Sequence, residues 1–285
     1  MSEATLDTET THGKLTGILF WIAIAFSTFQ IVTAAFSPLS SIVVRALHVG
    51  FLLLMTFGLY PRLTPSGRPF VVFSWLLAAG AFTLSLYHWI FEAELIQRSG
   101  DLTRADMVVG VVTVILVFEA ARRIMGFALP LICLCFLLYA IFGNYLPGVM
   151  GHRGYGFDQV VNQLGFGTEG IYGTPTYVSS TYIFLFILFG SFLEQAGMIR
   201  LFTDFALGTV GHTKGGPAKV SVISSGLMGT INGSGVANVV TTGQFTIPLM
   251  KKFGYKAAFA GGVEATSSMG GQIMPPVMGA VAFIM

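Results

Sequence analysis

Residues 214–252, KGGPAKVSVISSGLMGTINGSGVANVVTTGQFTIPLMKK, set the terms on which the rest of the chain is read. Lys214 and Lys219 stand at one end; Lys251 and Lys252, followed by Lys256, stand at the other. Lysines flanking apolar runs mark the cytoplasmic side of a membrane, so both ends belong to the same face. Between them lie about 30 residues, Gly215 to Ile247, broken centrally by Gly229-Thr230-Ile231-Asn232-Gly233-Ser234-Gly235. Each limb is then about 14 residues long, whereas crossing a hydrocarbon layer of about 30 Å takes roughly 20. The spacing predicts a re-entrant hairpin that enters and leaves by one face, with an irregular tip rich in Gly, Ser and Asn. Such backbone is tolerated at membrane depth only where protein or a wet cavity surrounds it. The alternative is two complete helices joined by an outer loop, which puts Lys219 and Lys251 at membrane level.

Downstream, Tyr255 to Met285 starts as an apolar helix and then meets Ala265-Thr266-Ser267-Ser268-Met269-Gly270-Gly271-Gln272-Ile273-Met274-Pro275-Pro276. Two glycines and two prolines cannot continue a regular helix, so the backbone is expected to unwind near mid-membrane. Interrupted apolar segments of this kind point to a transporter binding site, because broken helix ends offer N–H groups to anions and carbonyls to cations. Hard cations take oxygen ligands. Ser224, Ser225, Asn232, Ser234 and Asn238 on the hairpin supply them, with Thr266, Ser267 and Ser268 on the broken helix. Close packing through small polar residues is the competing explanation. Glu264 lies about eight residues inside Lys256, roughly 12 Å along a helix. It is read either as an intramembrane functional acid or as the partner of a nearby lysine.

Upstream, five apolar segments punctuate the chain at about Leu15–Phe36, Leu39–Tyr60, Phe70–Phe91, Met107–Met125 and Phe127–Tyr145. Their breaks are Pro38, a turn over Pro61 to Pro69, the charged stretch Glu92 to Asp106, and Arg122-Arg123. A Gly- and Tyr-rich stretch, Pro147 to Pro175, is too polar to cross and is placed on the outer face; a sixth span, Tyr177 to Gln195, follows. Residues 1–14 read as a solvated tail without the features of a secretory signal. With that tail inside, Lys14, Arg62, Arg68, Arg122 and Arg123 fall on the cytoplasmic side, and Arg98, Arg104 and Arg153 outside, which favours a cytoplasmic N-terminus. The expected fold is an all-α polytopic membrane protein: about six transmembrane helices, one re-entrant helical hairpin and one broken helix. Its parts are the tail 1–14, a scaffold-like unit 15–146, and a unit 147–285 holding the hairpin (215–250) and the broken helix (255–285).

Composition narrows the function. Hydrophobic residues make up 54% of the chain and charged residues 10%, too few charges to cover a soluble surface. The net charge of +2 gives no nucleic-acid groove. Cys133 and Cys135, two apart on a helix, face nearly opposite ways and read as apolar packing residues. Arg45 and His48 read as snorkelling or bridging groups, and Glu119 with Arg122 and Arg123 as an interfacial charge cluster. No metalloprotease, nucleophile-elbow or P-loop motif is present, and the histidines have no metal-ligand spacing, so uphill transport would draw on an ion gradient instead of ATP.

The run from Gly229 to Pro276 resembles the large membrane subunit of TRAP transporters in three ordered elements: the small-residue tip, Ile247-Pro248-Leu249-Met250 with Gly254-Tyr255, and Met274-Pro275-Pro276 where Ile-Pro-Pro is usual. By layout, the preceding helices resemble the small four-helix subunit plus a connecting helix, as in fused TAXI-type proteins. The resemblance implies a permease in the bacterial inner membrane that imports small, dicarboxylate-like organic acids with an extracytoplasmic TAXI/TRAP binding protein and a coupling ion, Na⁺ or H⁺. It implies no other cofactor, and as partners the binding protein, the substrate and membrane lipid. It places the substrate and cation site at Ser225, Asn232, Gly233, Ser234, Asn238, Thr266, Ser267, Ser268, Gly270, Gly271 and Pro275. Na⁺ falls at Ser225, Asn232, Ser234, Thr266 and Ser267. Asn238 and the Ser267-Ser268 pair depart from the pattern of dicarboxylate or sialic acid members. The family's large subunit is an inverted repeat, and only its first half is present by Met285, so the chain reads either as a fragment of a longer polypeptide or as an inactive truncated product. It is expected to be incompetent for transport alone. Two rival readings are a non-transporting scaffold or sensor, and an intramembrane enzyme using Ser234 or Glu264, for which the tip offers no base.

Overall fold

The computed structural model describes residues 3–36, 39–60, 68–279 and 282. The described residues form helices and turns without strands, in two compact units, Met1–Tyr177 and Val178–Met285. Among the described residues five helices are long and apolar enough to cross a membrane: Gly17–Phe36, Ser41–Leu59, Val71–Ile90, Ala128–Tyr145 and Thr174–Gln195. This is a multi-pass membrane protein of the expected all-α class.

In the first unit, α1 (Glu3–Phe36), α2 (Ser41–Leu59) and α3 (Arg68–Ile90) are followed by a short α4 (Glu92–Gln97), then α5 (Arg104–Met125) and α6 (Ala128–Phe142). The predicted tail is helical from Glu3, in one piece with the first span. Pro38 and residues 61–67 of the predicted turn lie outside the described residues; Arg68 and Pro69 open α3. α5 has 22 residues, enough to cross, but Arg104, Asp106, Glu119, Arg122 and Arg123 at its ends keep it out of the purely apolar set. A Thr103–Asp106 capping box starts it, each side chain bonding the other residue's backbone N–H. α2, α3 and α5 share a core of Leu53, Phe57, Ala78, Ala81, Leu116 and Ala120. Between Phe142 and Thr174 the chain forms two 3₁₀ turns and the nine-residue α7 (Phe157–Gly165), too short to span. α7 packs so closely on α5 that a Cβ on Gly165 would lie 3.1 Å from Gly110 Cα.

The second unit is entered through α8 (Thr174–Val178), a π turn over Ser179–Ile183, and α9 (Phe184–Gln195). Gly197, at φ 90°, turns the chain into α10 (Met198–Val210), an amphipathic helix burying Thr203 and Ala206 that sequence reading did not anticipate. Next come α11 (Gly216–Asn232) and α12 (Gly235–Lys252), the limbs of the predicted hairpin, and α13 (Ala257–Met269).

Two expectations need correction here. The hairpin tip is tighter than the seven-residue interruption suggested, because only Gly233 and Ser234 leave the helices. Gly233 ends α11 in the left-handed conformation (φ 59°), and the Ser234 hydroxyl accepts the Ala237 N–H to cap α12. The limbs are therefore 17 and 18 residues, about 25–27 Å at 1.5 Å per residue and still under the roughly 30 Å of a bilayer core. The second correction concerns the broken helix, which stays regular through Thr266, Ser267 and Ser268. It tightens to a 3₁₀ turn at Gly270–Ile273 and becomes extended at Met274, ahead of Pro275-Pro276. Of the expected continuation to Met285, residues 277–279 and 282 are described.

Candidate functional site

Helical periodicity aligns the polar side chains of the second unit. Ser221, Ser224 and Ser225 share a face of α11; Asn238, Thr242 and Thr246 recur every four residues on α12; Glu264 and Ser268 do the same on α13. All eight are buried. The faces meet because glycines remove the bulk between them: a Cβ on Gly229 of α11 would come within 2.2 Å of Gly271 Cα, and one on Gly243 within 3.2 Å of Glu264 Cγ.

At the centre is the Glu264 carboxyl, fully buried. Its Oε1 accepts hydrogen bonds from Thr242 at 2.5 Å and Ser268 at 3.1 Å. Its Oε2 accepts from Ser221 at 2.6 Å and from Thr246. Four hydroxyls from three helices fill the acceptor capacity of the group. Among the described residues no basic side chain lies within ion-pair distance of it, which removes the nearby-lysine reading; Lys219, Lys251, Lys252 and Lys256 are exposed.

From Glu264 a polar chain runs through Ser268 to Ser225, their hydroxyls 3.0 Å apart, and on to Asn238. The Asn238 amide donates to Ser225 Oγ at 2.9 Å and Ser225 O at 2.7 Å, leaving its buried Oδ1 without a partner in the structure. At the tip, Asn232 Oδ1 accepts the Ser234 N–H at 3.2 Å, while its Nδ2 is likewise unpartnered. The unwound segment folds back on this tip: Gly279 N–H donates to Gln272 O at 2.7 Å, and a Cβ on Gly233 would come within 2.4 Å of Val277 O. Only glycine fits there.

Of the residues singled out from sequence, Ser225, Asn238, Ser268 and Gly271 converge, and Asn232, Gly233 and Ser234 gather at the tip. Thr266 does not join them; it is exposed, its hydroxyl returned to Gly262 O. Ser267 and Gly270 line, with Thr266, an open cleft of about 800 Å³ between α11 and α13 whose other walls include Val222, Phe259 and Met274. Pro275 is exposed. Sequence reading missed Ser221, Thr242 and Thr246, whose four-residue spacing from Ser225, Asn238 and each other was the available signal.

An all-helical membrane unit in which a helical hairpin closes on a broken helix around buried oxygen atoms belongs, by class, among membrane transport proteins of the interrupted-helix kind. Residues 112–285 match the family model described as tripartite ATP-independent periplasmic transporter, DctM component, and the chain belongs to that family. It is 39% identical over 101 residues to the C4-dicarboxylate TRAP transporter large permease protein DctM of Rhodobacter capsulatus, covering 34% of this chain and 23% of that one. It is 34% identical over 91 residues to the sialic acid TRAP transporter large permease protein SiaM of Vibrio cholerae, covering 32% and 21%. It is 28% identical over 98 residues to the 2,3-diketo-L-gulonate TRAP transporter large permease protein YiaN of Escherichia coli, covering 34% and 23%. The matched stretch spans less than a quarter of the length of these curated relatives. No solved structure matches the chain.

Proposed function

We propose that this chain is the membrane permease component of a TRAP-type secondary active importer of small organic acids, driven by a cation gradient and supplied by an extracytoplasmic binding protein of the TAXI/TRAP kind. The observation that carries the reading is the hydroxyl- and amide-lined junction of α11, α12 and α13. There Asn238 Oδ1 and Asn232 Nδ2, both buried and unpartnered, offer an acceptor for a cation and a donor for a carboxylate. Ser225 and Ser268 add hard oxygens beside Asn238, a set that suits Na⁺ as cargo. The relatives handle C4-dicarboxylate, sialic acid and diketogulonate, acids of differing size, so the substrate class proposed is small organic acids, with dicarboxylate-like compounds the first to try.

In this reading the protein sits in the bacterial inner membrane with its N-terminus in the cytoplasm, and α11 and α12 form a hairpin re-entering from the cytoplasmic side. Lysines at both ends support that placement. Residues 1–111 lie outside the family match, and we propose 15–146 as a small-subunit-like scaffold plus connecting helix, of which 112–146 fall inside that match.

The test is uptake of radiolabelled succinate by proteoliposomes holding the full-length polypeptide and its binding protein, with Na⁺ and pH gradients imposed separately. Accumulation is expected with at least one gradient and only with the binding protein present. Uptake indifferent to both gradients refutes the reading.

A further inference from the structure

We propose that the α11/α13 cleft is a binding slot for one anionic phospholipid, its acyl chain lying between the two helices and its phosphate held by lysines at the mouth. The proposal is independent of the transport reading above.

Three observations carry it. The first is the shape of the cleft. α11 and the turn after α13 touch at one end, where a Cβ on Gly229 would come within 2.2 Å of Gly271 Cα, and beyond that pinch they leave an open cleft of about 800 Å³. Its lining runs along α13 from Ala258 to Gly270. That is about 18 Å at 1.5 Å per residue, against roughly 15 Å for one leaflet of the hydrocarbon core. Glycines keep the slot open. A Cβ on Gly262 or Gly270 would meet nothing within 4 Å, and one on Gly226 would meet Met274 Cε at 3.7 Å. Gly229 and Gly243 are required by helix contact; these three face open space instead.

The second is the chemistry of the walls. Val222, Phe259, Val263 and Met274 supply apolar surface, and Val222 and Phe259 are more than half exposed. The two hydroxyls there are already committed to their own helix: Thr266 Oγ1 donates to Gly262 O at 2.9 Å and Ser267 Oγ to Val263 O at 2.8 Å. A carboxylate or a sugar in the slot would compete with those bonds for a donor, whereas a hydrocarbon chain needs none.

The third is the charge at the mouth. Lys219 precedes Val222 and Gly226 by three and seven residues, and Lys256 precedes Phe259 and Val263 by the same intervals, so each lysine heads the helix face that lines the cleft. The two turns that carry them are neighbours. A Cβ on Gly215 would lie 3.8 Å from the Tyr255 hydroxyl, and Tyr255 stacks on Phe259 with ring centroids 5.8 Å apart. Lys214, Lys251 and Lys252 flank the same turns, and no acidic residue occurs between Asp204 and Glu264. Among the described residues none of these lysines is within ion-pair distance of an acid; Lys219 Nζ donates to Thr213 Oγ1 at 3.1 Å. α13 also starts without a side-chain cap, which leaves its first N–H groups for an anion. Unpaired positive charge at the head of an apolar slot complements a lipid, whose negative headgroup and hydrocarbon chain are joined in one molecule.

The experiment is photolabelling of the full-length protein in nanodiscs with phosphatidylglycerol or phosphatidylcholine carrying the same diazirine-tagged acyl chain, the labelled residues being mapped by mass spectrometry. Label is expected on Val222, Phe259, Val263 or Met274, about fivefold more of it from phosphatidylglycerol. The double substitution Lys219→Gln with Lys256→Gln is expected to bring the two lipids within about twofold of each other. Gly262→Leu, whose side chain enters open space, is expected to remove the cleft label from both lipids and leave labelling elsewhere as in the wild type. Equal labelling of the wild type by the two lipids, or a preference untouched by the lysine substitutions, overturns the proposal. So does cleft label that survives Gly262→Leu, and so does a cleft that takes no lipid because another part of the polypeptide or a second copy fills it. Both lysines are exposed, so the double variant decides the matter even where Gly262→Leu fails to fold.

Discussion

Two glutamates, the half-buried Glu119 of the first unit and the fully buried Glu264 of the second, are held in opposite ways. In the first unit Glu119 meets Arg122 in a bidentate pair at 2.8 Å and Arg123 at 2.8 Å; Arg123 also donates to Tyr60 O and Ser74 Oγ and lies over the Phe57 ring. The charge cluster expected from sequence is thus a structural clamp tying α5 to α2 and α3. Glu264 in the second unit has hydroxyls where Glu119 has guanidinium groups. Removing the first carboxylate strands two cations, whereas removing the second leaves only neutral donors.

That contrast can be broken or sharpened by substitution. The largest effect is expected from Glu119→Gln, which leaves Arg123, with a side chain 2% exposed, charged and without its carboxylate. A loss of about 3 kcal/mol is expected, seen as a lower thermal midpoint in detergent. Glu264→Gln is expected to cost less in the same assay, since no buried cation is stranded and its hydroxyl partners can turn to their own helix carbonyls; equal losses would erase the contrast. Between these lies Gly229→Ala, whose Cβ must enter the main chain of Gly271, with an expected cost of about 2 kcal/mol. Protease protection of α11–α13 reads out that change.

The smallest effect concerns Asp106, outside the apolar spans. Burial raises its carboxyl, but hydrogen bonds from Thr103 and Tyr87 and the charge of Arg98 outweigh this and hold it below the usual carboxylate range. Its contribution is therefore present above the unfolded value of about 3.9 and lost as pH falls through the folded one. Asp106→Asn is expected to lower the midpoint by the equivalent of about 1 kcal/mol at neutral pH and by less under strong acid.

Much of this was legible in the sequence, and the misses have physical causes. The Gly-rich interruption at Gly233-Ser234 gave the turn between α11 and α12, although the limbs are longer than the 14 residues expected, and Gly270-Gly271 with Pro275-Pro276 gave the break. The hydroxyls were harder to sort. Thr266, Ser267 and Ser268 are consecutive, so a helix spreads them over three faces about 100° apart. Only Ser268 falls four residues after Glu264 and joins the cluster, while Thr266 looks into the cleft. Glu264 could be placed at depth by counting from Lys256, but its partners on α11 and α12 are set by tertiary packing. α10 was missed because its apolar stripe is too short and too mixed to read as a span.

The Gly229–Gly271 contact has a mechanical consequence. Where two main chains touch with no side chain between them, no rotamer can absorb a displacement. Any tilt of the hairpin limb is handed undiminished to the unwound turn, and the pair moves as a single stiff lever.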